Sequence, residues 1–261
     1  MSSKPTRKLA LSICWIAALY GPGANAALIA HYNFTSAPGG TATDESPGGN
    51  NDIPVVSGGL AGPGAPTWVS TVDGRSGVMN FANAGSLRLN PPVDRPANGT
   101  SFSVALWVKS DFPGQNTWSS LFSNGQGGAN HFQIDANGGN WRLLGGVYNT
   151  PIGPIADTWT HLAVTWDGAA TSWYYNGALV STGGTNPGGN FDEFRVGTNR
   201  ANDANGAVEA DIDDVRIYDE ALSAGAIAIL AKPVPEPSTS FLAAFGLLSL
   251  IGCRRRRQGS A

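Results

Sequence analysis

Residues 101–109 alternate between apolar side chains and a second, mixed set, and this pattern constrains the fold more than any other feature of the chain. One face carries Phe102, Val104, Leu106 and Val108. A period of two residues is typical of a β-strand with one face in a core. Similar segments recur between turn-forming clusters, and the chain has 35 glycines and 17 prolines. An all-β domain of short strands and tight turns is therefore predicted.

Dipeptide turn signals divide the middle of the chain. We predict hairpins that turn at the Asp-Gly pair 167–168 and at the Asn-Gly pair 176–177. A third hairpin is predicted over residues 78–89. Only residues 223–231 are typical of a helix, with Ser223 as the N-cap. The strand-rich stretch has about 205 residues, which suits one all-β domain better than two small ones.

The N-terminal segment is typical of a secretory signal peptide. A basic start is followed by the apolar run 9–20 and by the small residues Ala24 and Ala26. The run is too short to cross a bilayer core of about 30 Å as a helix. We predict cleavage after Ala26, so that the exported chain begins at Ala27.

The C-terminal segment has three ordered parts. A triplet of Pro235, Glu236 and Pro237 precedes the apolar stretch 241–253. The chain then carries four arginines, Arg254, Arg255, Arg256 and Arg257. A short apolar helix followed by arginines is able to enter a membrane with its C-terminus in the cytoplasm. A plain membrane anchor would look similar.

These three parts resemble the C-terminal signal of PEP-CTERM proteins. The resemblance implies cleavage near residues 235–237 by an exosortase-type protease, after a transient stay of the precursor at the inner membrane. The mature form would then lie at the cell surface or in the extracellular matrix.

Charge and cysteine use separate the middle of the chain from its ends. Residues 27–237 contain nine basic and nineteen acidic residues, a formal charge of −10, whereas the whole chain has −3. Nucleic acid is therefore an unfavourable partner. Cys14 and Cys253 lie in the terminal apolar segments, so the middle domain has no disulfide and depends on its core.

Four motifs in order resemble a laminin-G-like domain of the concanavalin A-like lectin and glucanase superfamily. They are the loop 44–51, the strand 102–109, the segment 159–168 and the segment 212–223. The resemblance covers nearly all of residues 28–231. It implies a two-sheet antiparallel jelly-roll sandwich in which the first and last strands meet.

Acidic residues cluster near the end of this domain, at Glu209, Asp211, Asp213 and Asp214. Period two would place the first three on one strand face and Asp214 on the other. Neighbouring carboxylates repel each other unless a cation or a set of donors meets them. The cluster therefore predicts either a calcium site or a catalytic pair, or simply acceptors for nearby backbone groups.

A structural calcium ion is one candidate. Calcium prefers carboxylate, amide and carbonyl oxygens, and the loop 44–52 is rich in them. Laminin-G relatives often bind calcium, and the implied meeting of first and last strands would bring this loop towards the acidic cluster. The ligands we expect are Asp44, Asn50 and Asp213, with the alternative that Asp44 and Asp213 only accept hydrogen bonds from turns.

A glycoside hydrolase is the alternative enzymatic interpretation. Glucanases of the resembled superfamily use the pattern Glu-x-Asp-x-x-Glu, and the equivalent residues here would be Glu209, Asp211 and Asp214. The last position is Asp rather than Glu, and the flanking tryptophans of that signature are missing. We therefore assign no catalytic residues.

Aromatic residues are the candidates for ligand binding. Sugar sites use aromatic rings as stacking platforms beside orienting polar groups, although a core without disulfides also needs large rings. The candidates near turns or on strands are Trp118, Trp141, Tyr148 and Trp173.

Together these features predict four segments: a signal peptide at 1–26, a β-sandwich at 27–231, a proline-rich linker at 232–237 and a sorting signal with a hydrophobic helix at 238–257. The expected function is a non-catalytic binding or structural module of the envelope or the extracellular polysaccharide matrix, with a polysaccharide or surface glycan as partner. A glycoside hydrolase and a protein-binding adhesin are the alternatives.

Overall fold

The computed structural model describes residues 26–57, 64–81, 85–97, 99–110, 113–125, 131–144, 148–183, 189–199 and 206–233. Several sequence-based predictions lie outside these residues. They are the body of the signal peptide with Ala24, the triplet 235–237, the hydrophobic tail helix and the arginines 254–257. In the described part of the chain, no helix is long and apolar enough to cross a membrane.

Two antiparallel sheets form the domain. The first sheet has the order β14-β13-β12-β7-β16-β5-β4, and β1 also pairs with β16. Its strands are β1 (Leu28–Tyr32), β4 (Thr67–Val72), β5 (Arg75–Phe81), β7 (Phe102–Ser110), β12 (Thr160–Trp166), β13 (Thr171–Tyr175), β14 (Ala178–Gly183) and β16 (Ala210–Tyr218).

The second sheet has the order β11-β10-β9-β8-β15-β6-β3-β2. Its strands are β2 (Thr41–Ala42), β3 (Ile53–Ser57), β6 (Gly85–Leu89), β8 (Ser120–Ser123), β9 (Gln133–Asn137), β10 (Asn140–Leu144), β11 (Tyr148–Asn149) and β15 (Phe194–Val196). The all-β, two-sheet fold class is confirmed.

The core lies between the inner faces of the two sheets. The alternating apolar residues of β7 belong to it, together with residues from the second sheet such as Phe122 and Ile134. Phe102 of the first sheet packs edge-to-face against Phe132 at 5.0 Å and Phe191 at 4.8 Å, measured between ring centroids. These contacts hold the two sheets together without a disulfide.

The first and last strands meet, as the laminin-G resemblance implies. β1 pairs with β16 antiparallel, with His31 opposite Arg216 and Tyr32 opposite Val215. The chain ends of the domain therefore lie side by side in the first sheet.

The predicted hairpins have different outcomes. The hairpin at Asn176-Gly177 is confirmed, because Tyr175 lies opposite Ala178 and both turn residues have positive φ. β12 and β13 also pair, but their loop has four residues, 167–170, instead of two. The hairpin over residues 78–89 is wrong, because β5 joins the first sheet and β6 joins the second.

The one described helix is α1 (Ala224–Leu230), and its predicted N-cap is confirmed. The Ser223 side chain accepts a hydrogen bond from the backbone N–H of Ala226. Ile227 is buried in a small cluster with Ala105, Ala163 and Tyr174. Because Ala105 and Ala163 alternate with core residues of β7 and β12, α1 covers the outer face of the first sheet.

Candidate functional site

A β-bulge in β16 shapes the outer face of the first sheet. Asp213 lies opposite Trp107 of β7, but the next pair is Arg216 with Ala105, so β16 has one extra residue at this point. Asp214 has a φ of 53°. The sequence-based assignment of Asp213 and Asp214 to opposite faces is wrong, since the bulge turns both towards the same cleft.

The bulge marks the place where β16 changes partners on one side. Residues 210–212 pair with β5, and residues 215–218 pair with β1. Between these two partners an open cleft of about 760 Å³ forms on the outer face. Its rim includes the turn between β4 and β5 and, beyond α1, Ala231 and Pro233.

Asp213 and Arg75 form a largely buried ion pair in this cleft. The Nε–H of Arg75 donates to Oδ2 of Asp213 at 2.7 Å. The guanidinium carbon of Arg75 lies 4.5 Å from the ring centroid of Trp107 and 5.4 Å from that of Trp159. Burial raises the pKa of Asp213 to about 6, because it outweighs the attraction of Arg75.

Asp214 has a different environment. Burial opposes its ionisation, but Oδ1 contacts Nε2 of His31 at 2.6 Å and accepts the Nε–H of Arg216 at 2.8 Å. These partners lower the pKa of Asp214 to about 2. The cleft thus holds two adjacent carboxylates whose pKa values are pushed apart.

Asp211, another member of the acidic cluster, also has a partner. Oδ1 of Asp211 accepts a hydrogen bond from the Asn80 amide at 2.7 Å. Beside it, Lys109 contacts Asp73 at 2.9 Å, and this hydrogen bond raises the pKa of Lys109. The cationic partners that the clustered carboxylates require are therefore present.

A second surface lies on the outer face of the second sheet. Trp118 is 43% exposed and has a φ of 79°. Such a backbone conformation is strained for a bulky residue and is found at functional sites more often than elsewhere. The guanidinium carbon of Arg142 lies 4.3 Å from the centroid of the Trp118 ring, so the guanidinium group covers one face of this ring.

Arg142 is itself held by Asp135. Its Nε–H donates to Oδ1 at 2.8 Å and its Nη2 donates to Oδ2 at 2.7 Å, which is a bidentate pair. Asp135 is fully buried, and burial raises its pKa against the effect of Arg142. Gln133 donates to Oδ2 of Asp135 at 2.6 Å and contacts His131 at 3.0 Å. A connected polar row therefore lies behind Trp118.

The predicted ligand-binding aromatics divide between surface and core. Trp118 is exposed, as that role requires. Trp141 and Trp173 are wrong as ligand-binding residues, because they are 1% and 0% exposed and pack in the core. Their strand register turns them inwards. Tyr148 pairs through its backbone with Leu143 at the sheet edge, and its side chain is outside the described part of the structure.

The three residues expected to bind calcium have other partners. Asp44 accepts hydrogen bonds from the backbone N–H groups of His31, Ser46 and Asn51 and from the Ser46 hydroxyl. The Asn50 amide donates to Asp94, and Asp213 pairs with Arg75. This donor set does not fit a calcium ion. Among the described residues, no group of three His, Cys, Asp or Glu is arranged to hold a metal.

Sequence reasoning missed most of the partners that define both surfaces. Arg75 and Asp213 are 138 positions apart, and nothing in the local pattern links them. Arg142 and Asp135 are closer, on neighbouring strands joined by the turn 138–139. Their opposite charges on either side of the Gly138-Gly139 turn, at positions that face each other in a hairpin, are a signal that would have found this pair.

Two packed antiparallel sheets with joined first and last strands define a laminin-G-like β-sandwich. Residues 81–228, more than half of the chain, match a laminin G family model of the concanavalin A-like lectin/glucanases superfamily. The chain belongs to this superfamily. Residues 233–257 match the PEP-CTERM protein-sorting motif, which indicates export and exosortase-dependent sorting. No curated protein matches the chain by sequence.

Solved structures share this fold. Domain 4 of AbnA, an extracellular GH43 arabinanase from Geobacillus stearothermophilus in complex with arabinotriose, superimposes with a TM-score of 0.60 at 23% identity. The match covers 79% of this chain and 99% of that domain.

Binding domains of larger toxins are also similar. The binding domain of Paraclostridial Mosquitocidal Protein 1 has a TM-score of 0.56 at 17% identity, and that of botulinum neurotoxin serotype D/C has 0.54 at 13%. Each match covers 78% of this chain, and the chain spans about half of each of these structures.

Proposed function

We propose that the protein is an exported, non-catalytic glycan-binding module of the cell surface or extracellular matrix, with Trp118 as its stacking platform. The observation that carries this proposal is an exposed tryptophan ring in a strained backbone conformation, backed by a buried arginine–carboxylate pair.

The physical reason lies in how saccharide rings are recognised. A flat aromatic ring offers a large apolar area that is already ordered, and neighbouring polar groups fix the orientation of the hydroxyls. The bidentate pair of Arg142 and Asp135 holds the back of Trp118 in place. A ligand that stacks on the open face of Trp118 therefore loses little free energy in ordering the site.

The position of this surface supports the proposal. Pro233, the last residue that the structure describes, lies on the rim of the cleft in the first sheet. Trp118 and Arg142 lie on the outer face of the second sheet, on the other side of the sandwich. The Trp118 surface therefore lies on the side of the sandwich opposite to residue 233, where the matched sorting motif begins.

The similarity to domain 4 of AbnA suggests the first probe. That domain is in complex with arabinotriose, so arabinotriose and a polysaccharide array should be tested on the purified chain. We expect Trp118→Ala to weaken binding at least tenfold, which corresponds to about 1.4 kcal/mol. Leu179→Ala is the matched control, because Leu179 is 53% exposed on β14 of the other sheet.

Two results would count against this site. Unchanged affinity of Trp118→Ala for a glycan that the unmodified chain binds would remove Trp118 from the proposal. Absence of binding to any saccharide on the array would remove the glycan-binding function itself.

Glycoside hydrolysis is the second candidate, and the cleft of the first sheet favours it. Asp213 and Asp214 have pKa values of about 6 and about 2, and separated values are expected of an acid and a base. Both carboxylates, however, already contact cationic or imidazole partners. Release of reducing ends from a polysaccharide, abolished by Asp213→Asn, would replace the binding proposal with a catalytic one.

A further inference from the structure

Arg75 in the cleft of the first sheet has most of its hydrogen-bonding capacity unused. Its Nε–H donates to Asp213, and in the described part of the chain its two Nη groups have no hydrogen-bond partner. The side chain is only 11% exposed. A guanidinium has five N–H donors in a fixed plane, so the outer edge of Arg75 offers the remaining ones to the cleft.

Two tryptophans fix the plane of this guanidinium. Trp107 and Trp159 lie 4.5 Å and 5.4 Å from its central carbon. The Trp159 ring is held in turn, because its Nε1–H donates to the carbonyl oxygen of Val72 at 3.1 Å. Packing against aromatic rings suits the weakly hydrated guanidinium. The unused donors are thus held in a plane that matches a carboxylate, which accepts two parallel hydrogen bonds.

The rest of the cleft suits a hydroxylated ring. Asn33, Thr35 and Asn176 line it with amide and hydroxyl groups, beside the two tryptophans. Its volume of about 760 Å³ lies within the range of about 300–1,000 Å³ that is usual for small-ligand sites.

The charges in the cleft leave Arg75 as the cation for an incoming anion. Asp214 already engages both His31 and Arg216, and Asp73 on the rim pairs with Lys109 at 2.9 Å. Asp213 occupies only the Nε side of Arg75. We propose that the cleft binds a sugar acid, a pyranose ring that carries a carboxylate, with the outer edge of Arg75 receiving the carboxylate. This site is separate from the Trp118 surface and does not depend on it.

The experiment is calorimetric titration of the full chain with trigalacturonate and with its methyl ester. The ester keeps the sugar rings and their hydroxyl groups, removes the charge and adds only a methyl group at each carboxyl. We expect the acid to bind at least tenfold more tightly than the ester. Arg75→Lys keeps the positive charge but loses the planar pair of donors, so it should reduce this difference severalfold. Trp118→Ala should leave the difference in affinity between the acid and the ester unchanged.

Asp213→Asn is the control for loss of folding, because its affinity should rise, and a misfolded variant would instead bind more weakly. It removes the negative charge that competes for Arg75, so we expect this variant to bind trigalacturonate more tightly than the unmodified chain does. Equal binding of acid and ester, an unaltered preference in Arg75→Lys, or weaker binding by Asp213→Asn would each overturn the proposal. So would acetate that competes as well as the sugar acid, since the cleft would then be a general anion site. Loss of the acid preference in Trp118→Ala but not in Arg75→Lys would place the binding at the Trp118 surface and would likewise overturn the proposal for the cleft.

Discussion

Replacing Asp135 tests whether the buried pair behind Trp118 has the role assigned to it. Asp135→Asn leaves the shape of the side chain nearly unchanged and removes its charge. Arg142, only 5% exposed, would keep its own charge without a carboxylate partner. Breaking a buried ion pair in this way costs about 3–5 kcal/mol. For a domain of this size, the melting temperature should fall by about 6–20 °C.

A double variant separates the loss of the pair from other effects. Asp135→Asn combined with Arg142→Met removes both charges, and the asparagine oxygen still accepts from Gln133, which donates to Asp135 at 2.6 Å. Replacing a buried pair by uncharged groups is often close to neutral. We therefore expect the double variant to recover most of the lost stability.

Binding should not recover with stability. The double variant lacks the cation behind the Trp118 ring, and such contacts contribute about 0.5–1 kcal/mol at exposed sites. Arabinotriose, or the tightest glycan found on the array, should therefore bind about two- to fivefold more weakly. Urea denaturation followed by circular dichroism gives the stabilities, and calorimetry gives the affinities. A cost below about 1 kcal/mol for Asp135→Asn, or a double variant as unstable as the single one, would refute the reasoning.

Three further predictions concern other parts of the domain. The pKa of Asp213 rises from the ordinary 3.8 to about 6 on folding. Asp213 therefore contributes about 3 kcal/mol to the free energy of unfolding below about pH 4, and this contribution is lost as the pH rises through 6. Burial lowers the pKa of His161 to about 4 and gives an opposite pH dependence in the same window, so the quantity to measure is the difference in free energy of unfolding between the unmodified chain and Asp213→Asn. Urea titrations at pH 4 and pH 7 should show this difference change by about 3 kcal/mol. Gly77 has a φ of 73°, and a Cβ there would lie 2.0 Å from the carbonyl oxygen of Phe34. Gly77→Ala should therefore destabilise far more than Gly168→Ala, where φ is positive but nothing lies within 4 Å, and thermal melts would contradict this if the two costs were equal. For the calcium site expected from the sequence, we predict no change in melting temperature with millimolar Ca²⁺ or a chelator, because the carboxylates of Asp44 and Asp213 already accept hydrogen bonds from other groups. A melting temperature that rises with Ca²⁺ would contradict this prediction and support the calcium site.

Local patterns were sufficient where one physical rule acted alone. The alternation in β7 matches its observed inner face, the Asn176-Gly177 turn requires positive φ at both positions, and Ser223 caps α1. Each depends on neighbouring residues only. The wrong hairpin over residues 78–89 shows the limit, because sheet membership is decided by partners far along the chain. β5 pairs with β16 instead of with the strand that follows it.

The candidate sites were harder to predict for two reasons. A single bulge residue moves every later side chain of the strand to the opposite face of the sheet. The prediction assumed uninterrupted alternation along β16 and therefore placed Asp214 on the wrong face. Both faces of the strands in the second sheet also contain buried residues. Trp141 in the core and Arg142 behind Trp118 are adjacent in sequence, and only the register of β10 decides which of them faces inwards.

The two proposed surfaces lie on opposite faces of one sandwich, and this arrangement has a consequence for how such a module would act. A cleft beside Pro233 lies next to the start of the sorting motif, whereas Trp118 lies on the far side. With both surfaces occupied, one domain would bridge a neutral glycan and a sugar acid. Bridging raises the apparent affinity for a mixed polysaccharide above that of either surface, and Trp118→Ala and Arg75→Lys should each reduce that gain.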